Sequence, residues 1–270
     1  MSQLVSALGD GLVVTKRNLI KIKRVPDLLV FTTMQPIMFV VLFAYVFGGA
    51  IAVEGVNYRE FLMAGIFAQT VIFGATLTGA GLADDMQKGV IDRFRSLPMS
   101  RSAVLVGRTF SDMLNNVIVI IVMAATGLVV GWRIHTSFLE ALGGFALLLL
   151  FSYAFSWVMA YVGLIVPSVE VVNNAAFIVL FPVTFIASTF VPLASLPGPL
   201  ETVAAWNPVT TLSESGRLLF GNIPADPNLR NLSDAWSMQN PVFYTVICAA
   251  LILVVFVPLS VHKYRSATTK

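Results

Sequence analysis

The sequence carries little with which to do covalent chemistry. Its two histidines, His135 and His262, fall in loops or at a span end, far apart in chain order, and its one cysteine, Cys248, lies inside an apolar run. That composition gives no support to a thiol-ligand metal centre, a disulfide framework or a histidine-based nucleophile site. None of its 19 glycines is followed by lysine, so the chain has no G-x-x-x-x-G-K loop with which to cradle nucleotide phosphates. What it offers instead is docking chemistry. The stretch Ala83 to Arg108, ADDMQKGVIDRFRSLPMSRSAVLVGR, sets Lys88, Arg93, Arg95, Arg101 and Arg108 between two apolar blocks. Read as a helix from Asp84, it puts Asp84 and Asp85 in the first turn, where carboxylates suit the unpaired N–H groups. Val90, Ile91, Phe94 and Leu97 then form an apolar stripe beside an arginine-rich flank. Pro98 ends that helix, and Ser100 is placed to cap a second one that rises through Val104 and Leu105. Phe94, an aromatic residue surrounded by charge, has the character of an anchor in a protein interface.

The elements that hold this stretch are membrane spans. The chain is 57% hydrophobic and only 11% charged over 270 residues, with a mean hydropathy of +0.85, far more apolar surface than a soluble domain of this size buries. It is an all-α integral membrane protein by composition. Its net charge of +3 and pI near 9.1 do not indicate nucleic acid, because the basic residues lie beside apolar blocks as membrane topology requires. Six blocks approach the roughly 20 residues needed to cross a hydrocarbon core: Leu28 to Phe47, Phe61 to Leu82, Met113 to Val130, Ala141 to Val166, Ala175 to Phe190 and Val242 to Val261. The fifth is short and stops at Pro192. Residues 1–27 do not read as a signal peptide; Leu4, Leu8, Leu12, Leu19 and Ile22, with lysines and arginines on the remaining face, predict an amphipathic helix lying on the bilayer.

Orientation follows from the basic residues. With the N-terminus cytosolic, thirteen lie inside (Lys16, Arg17, Lys21, Lys23, Arg24, Lys88, Arg93, Arg95, Arg101, Arg108, Lys263, Arg265, Lys270) and four outside (Arg59, Arg133, Arg217, Arg230). Both termini are then expected in the cytosol of a multi-pass protein of the cell membrane. The short loop Pro167 to Asn174 carries Glu170 and no basic residue. The external stretch 191–240 is punctuated by six prolines, between which Leu200 to Trp206 and Thr210 to Phe220 predict short amphipathic helices. These either cap the outer mouth or re-enter the membrane. No linker separates two soluble units, so residues 1–270 read as one membrane domain.

Within the spans the candidate ligand contacts are uncharged: Gln69, Phe73 and Thr76 on the second, Asn115 on the third, and Phe177, Phe181, Thr184, Phe185 and Ser188 on the fifth. The phenylalanines recur at i, i+4, i+8, as one aromatic row. A path lined this way suits hydrophobic or amphipathic cargo, although such residues also serve to hold helices together. Gly127 with Gly131, and Ala75 with Gly79, are spaced for close helix contact. Asp112, Glu140 and Glu170 fall at predicted span ends, and the predicted span centres carry no charge. A secondary transporter ordinarily keeps an ionisable group in mid-membrane. With neither that nor a phosphate loop, the energy for transport must come from another protein.

Three stretches carry a family resemblance: DDMQKGVIDRFRSLPMSR followed by LVGR, FIASTFVPLASLPG (Phe185 to Gly198) and WNPVTTLSESGRLLFGN (Trp206 to Asn222). In this order the chain resembles ABC type-2 transporter permeases, and most of all the daunorubicin-resistance family of exporter membrane subunits. The resemblance implies six transmembrane helices, an N-terminal interfacial helix, a cytosolic coupling helix in residues 83–100 and re-entrant helices in 191–240. It assigns Asp85, Lys88, Val90, Ile91, Asp92, Arg93, Phe94, Arg95, Leu97 and Arg101 to coupling with an ABC ATPase. It further implies two copies of that ATPase, which would hold ATP and Mg, and a second permease chain, identical or homologous, while this chain carries neither cofactor nor metal. The second and fifth spans would line the pathway. Export of a lipid-linked glycan or wall polymer is the alternative within the family, and an intramembrane lipid-modifying enzyme the alternative outside it.

Overall fold

The computed structural model describes residues 27–49, 51, 53–90, 103–224 and 233–266. The expected interfacial helix at 1–26 and the coupling residues Ile91, Asp92, Arg93, Phe94, Arg95, Leu97 and Arg101 lie outside them. Among the described residues every regular element is helical. Asp27–Val41 (α1) continues as a π-helical turn, Leu42–Phe47, forming a shorter apolar helix. Five further rods are long and apolar enough to cross a bilayer: Tyr58–Gln87, Val104–Val130, Phe138–Ile165, Val169–Ile186 and Pro241–Ser266. The six predicted blocks therefore appear as five full-length helices and one shorter one.

Local chemistry sets the helix starts. Asn57 accepts from the Arg59 N–H to open α2 (Tyr58–Gly74). Ser137 and Glu140 form a reciprocal capping box at α5 (Phe138–Ile165), and Ser168 accepts from the Val171 N–H at α6 (Val169–Ile186). The rod 58–87 is α2 followed by α3 (Thr76–Gln87), interrupted only at Ala75. It is the axis of the fold: Leu62, Met63, Ile66, Phe67 and Ala68 are completely buried. Against it pack α4 (Ala103–Val130), α5 and α6, while α10 (Pro241–Ser266) lies against α5 and turns Val254 and Leu251 outward. α5 is apolar all round because it has neighbours on several sides.

Between α6 and α10 the chain makes a 3-10 turn, Leu193–Ser195, then α7 (Gly198–Ala205), α8 (Pro208–Phe220) and the short α9 (Trp236–Gln239). α8 is not a lid. It is inserted among α2, α5 and α10, where Gly216 meets Ala64, Phe220 meets Gly144 and Thr211 accepts from Thr245 at 3.0 Å. Pro208 follows the Asn207 cap at its start, and Gly221, at φ 73°, supplies the left-handed residue that ends it.

Several boundaries differ from the sequence expectation. Asp84 and Asp85 close α3 instead of opening a new helix; the helix stops at Gln87, and Gly89, at φ 65°, turns the chain. Asp84 pairs with Lys88 one turn later, at 2.7 Å. The third span begins ten residues earlier than Met113, at Ala103, so Asp112 sits inside it. The fifth begins at Val169, which shortens the preceding loop and puts Glu170 in its first turn. Gly131, at φ 107°, lies beyond the end of α4 and is no partner for Gly127 along a helix face. Gly127 instead makes room for Met63.

α3 and α5 approach closely. A Cβ at Gly163 would lie 2.3 Å from the Gly79 carbonyl oxygen, so the two backbones touch. Gly163→Leu is expected to cost ~1–3 kcal/mol by overpacking, read as a lower thermal midpoint of the purified protein. A midpoint equal to wild type would mean that the two helices stand apart.

Candidate functional site

The rod 58–87 brings together the polar and aromatic residues singled out on the second span. Gln69, Phe73 and Thr76 line a cavity of about 170 Å³, closed on its other side by Gln35, Pro36 and Phe39 of α1. Gln69 and Thr70 are buried, and the Thr70 hydroxyl, which also lines the cavity, has no hydrogen-bond partner among the described residues. A buried hydroxyl left open costs ~1–3 kcal/mol, which a bound polar group would offset. The Thr76 hydroxyl, by contrast, donates to the Phe73 carbonyl at 2.6 Å. Two amides, one open hydroxyl and two phenylalanine rings, with no charge, suit an apolar ligand bearing a neutral polar group.

The row on the fifth span is an aromatic ladder. Phe177 and Phe181 stack with centroids 5.1 Å apart, Phe181 and Phe185 at 4.1 Å, and Phe185 meets Phe190 at 4.9 Å. From Phe190 it crosses to α1 through Phe43 at 4.3 Å and Phe39 at 5.8 Å. At its other end Phe73 meets Phe177 edge-on at 6.2 Å. The ladder thus borders the cavity through both Phe39 and Phe73. Its outward neighbours Ile178 and Val179 are exposed, as are Met38 and Val46 on α1.

Three expected contacts are placed elsewhere. The Thr184 hydroxyl donates to the Leu180 carbonyl of its own helix, and Asn115 is buried on α4 away from the cavity lining. Ser188 belongs to a charged cluster at the end of the bundle: its hydroxyl donates to Glu214 at 2.9 Å and accepts from Arg217 at 3.0 Å. The contribution of α1 was foreshadowed by Gln35, the only amide in the first apolar block.

Two buried ion pairs depart from the expectation that charge stays at the edges. On α4, Arg108 donates through Nε to Asp112 at 3.1 Å and through Nη2 to the Leu77 carbonyl at 2.9 Å, while the Thr78 hydroxyl donates to Asp112 at 2.7 Å. The cluster joins α3 to α4, the two helices flanking residues 91–102. Arg217, expected on a short external amphipathic helix, is 1% exposed on α8. Its Nη1 donates to Glu214 at 2.5 Å, Nε to the Phe61 carbonyl at 3.0 Å and Nη2 to the Ser188 carbonyl, and the Phe61 ring lies 3.5 Å from the guanidinium carbon. Each charge has a fixed counter-charge, so these pairs are built as clamps. The helical spacings i,i+4 and i,i+3 were legible; their burial was not.

Of the coupling residues, Asp85 and Lys88 stand at the end of α3, with Lys88 exposed, and Val90 follows Gly89. They lie where the rod 58–87 gives way to residues 91–102.

Comparison with known proteins agrees with this architecture. Residues 11–220 match the model of the ABC-2 type transporter family. The chain is 30% identical over 251 residues to the daunorubicin resistance ABC transporter permease protein DrrB1 of Streptomyces coeruleorubidus, covering 93% of this chain and 84% of that one. It is 24% identical over 236 residues to the probable doxorubicin resistance ABC transporter permease protein DrrC of Mycobacterium tuberculosis, covering 87% and 80%. A putative transport permease, ycf38, of Cyanophora paradoxa is 25% identical over 214 residues, covering 78% and 73%. With a family match over most of its length and a helical bundle to go with it, this chain belongs to the ABC-2 type transporter permeases.

Proposed function

We propose that this chain is the membrane subunit of an ATP-driven exporter that moves a hydrophobic or amphipathic, drug-like or lipid-like molecule outward. In this reading it works with two ABC ATPase subunits, which hold ATP and Mg, and with a second permease chain, identical or homologous. Both termini face the cytosol of the cell membrane. The supporting observation is one of continuity. Gln69, Phe73 and Thr76 line a cavity on the same rod that ends at Gln87, immediately before the segment assigned to the ATPase. From Thr76 to Gln87 is about 16 Å at 1.5 Å per residue, so a push at the cytosolic end reaches the cavity through a single packed helix. The names of the relatives, which refer to daunorubicin and doxorubicin resistance, favour a drug-like cargo.

The test is reconstitution in vesicles. The chain with its ATPase is expected to concentrate a hydrophobic dye against its gradient in the presence of ATP, and the chain alone to do so not at all. Sustained uphill export by the chain alone would overturn the proposal.

Phe94 is the proposed anchor in the ATPase cleft. Phe94→Ala is expected to cost at least ~2 kcal/mol of subunit affinity, as aromatic hot spots do, or to leave ATP hydrolysis running without transport. Membrane insertion should be unaffected. Normal co-purification together with normal transport would remove Phe94 from that role.

A further inference from the structure

A second cavity, of about 360 Å³, belongs to neither the aromatic ladder nor the coupling segment. It lies at the end of the bundle where α2 begins, between the turn after α6, the C-terminal half of α8 and the start of α10. The positive-inside count places that end outside the cell. Its walls are mostly apolar, including Val56, Phe61, Leu193, Leu218, Ile223 and Met238.

The polar groups in its lining are unequal. Asn222 is spent on both atoms: it accepts from Trp132 Nε1 at 2.6 Å and donates to the Arg133 carbonyl at 2.8 Å. Ser195 donates to the Pro192 carbonyl and Gln239 to the Asp234 carbonyl. Arg217 gives its N–H groups to Phe61, Ser188 and Glu214, and only 2% of its side chain is exposed. Glu214 is different. One of its oxygens, Oε1, receives Arg217 and Ser188, while Oε2 has no partner among the described residues and 14% of the side chain is open. Glu54, an exposed residue of the same lining, likewise has none there. Two carboxylates against one guanidinium leave the lining with a net charge of −1.

We infer that this cavity is an extracytoplasmic binding site for an organic cation with an apolar body, held by Glu214 Oε2 and Glu54 over a floor of Phe61, Leu218 and Met238. Its volume falls in the usual range for small-molecule sites, about 300–1,000 Å³. A cation there gains from a partly desolvated carboxylate, where a charge pair is screened less than in open water. An anion would face the same two carboxylates, with the guanidinium already spent. The site rests on the exporter reading for its place in transport, as the last station of a cationic cargo before release. Binding itself does not depend on that reading.

The experiment uses two probes of equal shape and opposite charge, tetraphenylphosphonium and tetraphenylborate, in equilibrium dialysis against the full chain purified in uncharged detergent. The wild-type protein is expected to bind the cation at one saturable site per chain and the borate more weakly. Glu214→Gln is expected to weaken cation binding on the order of tenfold, as loss of a partly buried charge partner does. Glu54→Gln, outside the Arg217 cluster, should weaken it less while leaving the thermal midpoint unchanged, which separates loss of charge from loss of fold. Ala194→Phe, which fills the cavity from its rim, should remove the saturable component. Equal affinity for the two probes, or cation binding that survives Ala194→Phe, would overturn the site. If the site fails while ATP-dependent dye export persists, the exporter reading stands without it. If the cation binds as expected but the ATPase confers no export, the exporter reading falls and the site remains.

Discussion

Arg217→Ala is expected to destabilise the protein by ~3–5 kcal/mol, the usual consequence of removing one member of a buried ion pair. The guanidinium serves three elements at once: the Phe61 carbonyl in the first turn of α2, the carbonyl and hydroxyl of Ser188 after α6, and Glu214 one turn back on α8. Its removal takes a donor from two carbonyls and leaves a carboxylate, mostly enclosed, without its counter-charge. Lysine is a poor replacement, because a single ammonium cannot present the planar fork that reaches acceptors on three sides. Arg217→Lys is therefore expected to lose a large part of the same stability. The double variant Glu214→Gln with Arg217→Met, which removes both charges, should recover some of it. Thermal unfolding of the purified variants and their level in the membrane measure this. A wild-type midpoint in Arg217→Ala would show that the cluster does not hold α8 in place.

The second large effect is expected at Asp112. Its carboxylate takes the Thr78 hydroxyl at 2.7 Å and Arg108 Nε at 3.1 Å, and Arg108 also reaches the Leu77 carbonyl. Gly81 makes this possible: a Cβ there would fall 2.0 Å from Arg108 Nη2. Asp112→Ala leaves a guanidinium enclosed with only a carbonyl to bind and is expected to cost ~3–5 kcal/mol. Arg108→Leu with Asp112→Leu removes both charges and should cost much less than the sum of the single changes. A double-mutant cycle on the thermal midpoint reads the difference. Additive effects would show that the two side chains act independently. Because the clamp fastens α3 to α4 beside residues 91–102, the double variant is expected to fold yet to export less per ATP hydrolysed.

Charge does enter the bundle, contrary to the expectation from span positions. Each group, however, is held by a fixed partner of opposite sign, and a carboxylate held by arginine and a hydroxyl donor is not arranged as a proton or ion relay.

The sequence by itself determined the class and most of the element order. Long apolar blocks can only be spans, since backbone groups in a hydrocarbon core must bond within their own helix. The caps Ser137 with Glu140 and Asn207 with Pro208 are local chemistry, yet apolar patterning alone started these helices at Ala141 and Thr210, a few residues late. The i, i+4, i+8 phenylalanines had to share a helix face, and they stack. What only the tertiary structure decided is which faces meet. The sequence of α8 is that of an amphipathic helix, and only its insertion among α2, α5 and α10 turns Arg217 from an external cation into a buried clamp. The cavity beside Gln69 exists because α1, far away in the chain, brings Gln35 and Phe39 against the rod. Asp112 looked like a boundary residue because charge usually marks a span end. Its donor Thr78, and the Leu77 carbonyl that holds Arg108, lie more than thirty residues earlier in the chain, beyond the reach of any local pattern. Periodicity and capping act over a few residues along one helix, whereas the desolvation that gives a charge its role is set by whatever packs across from it.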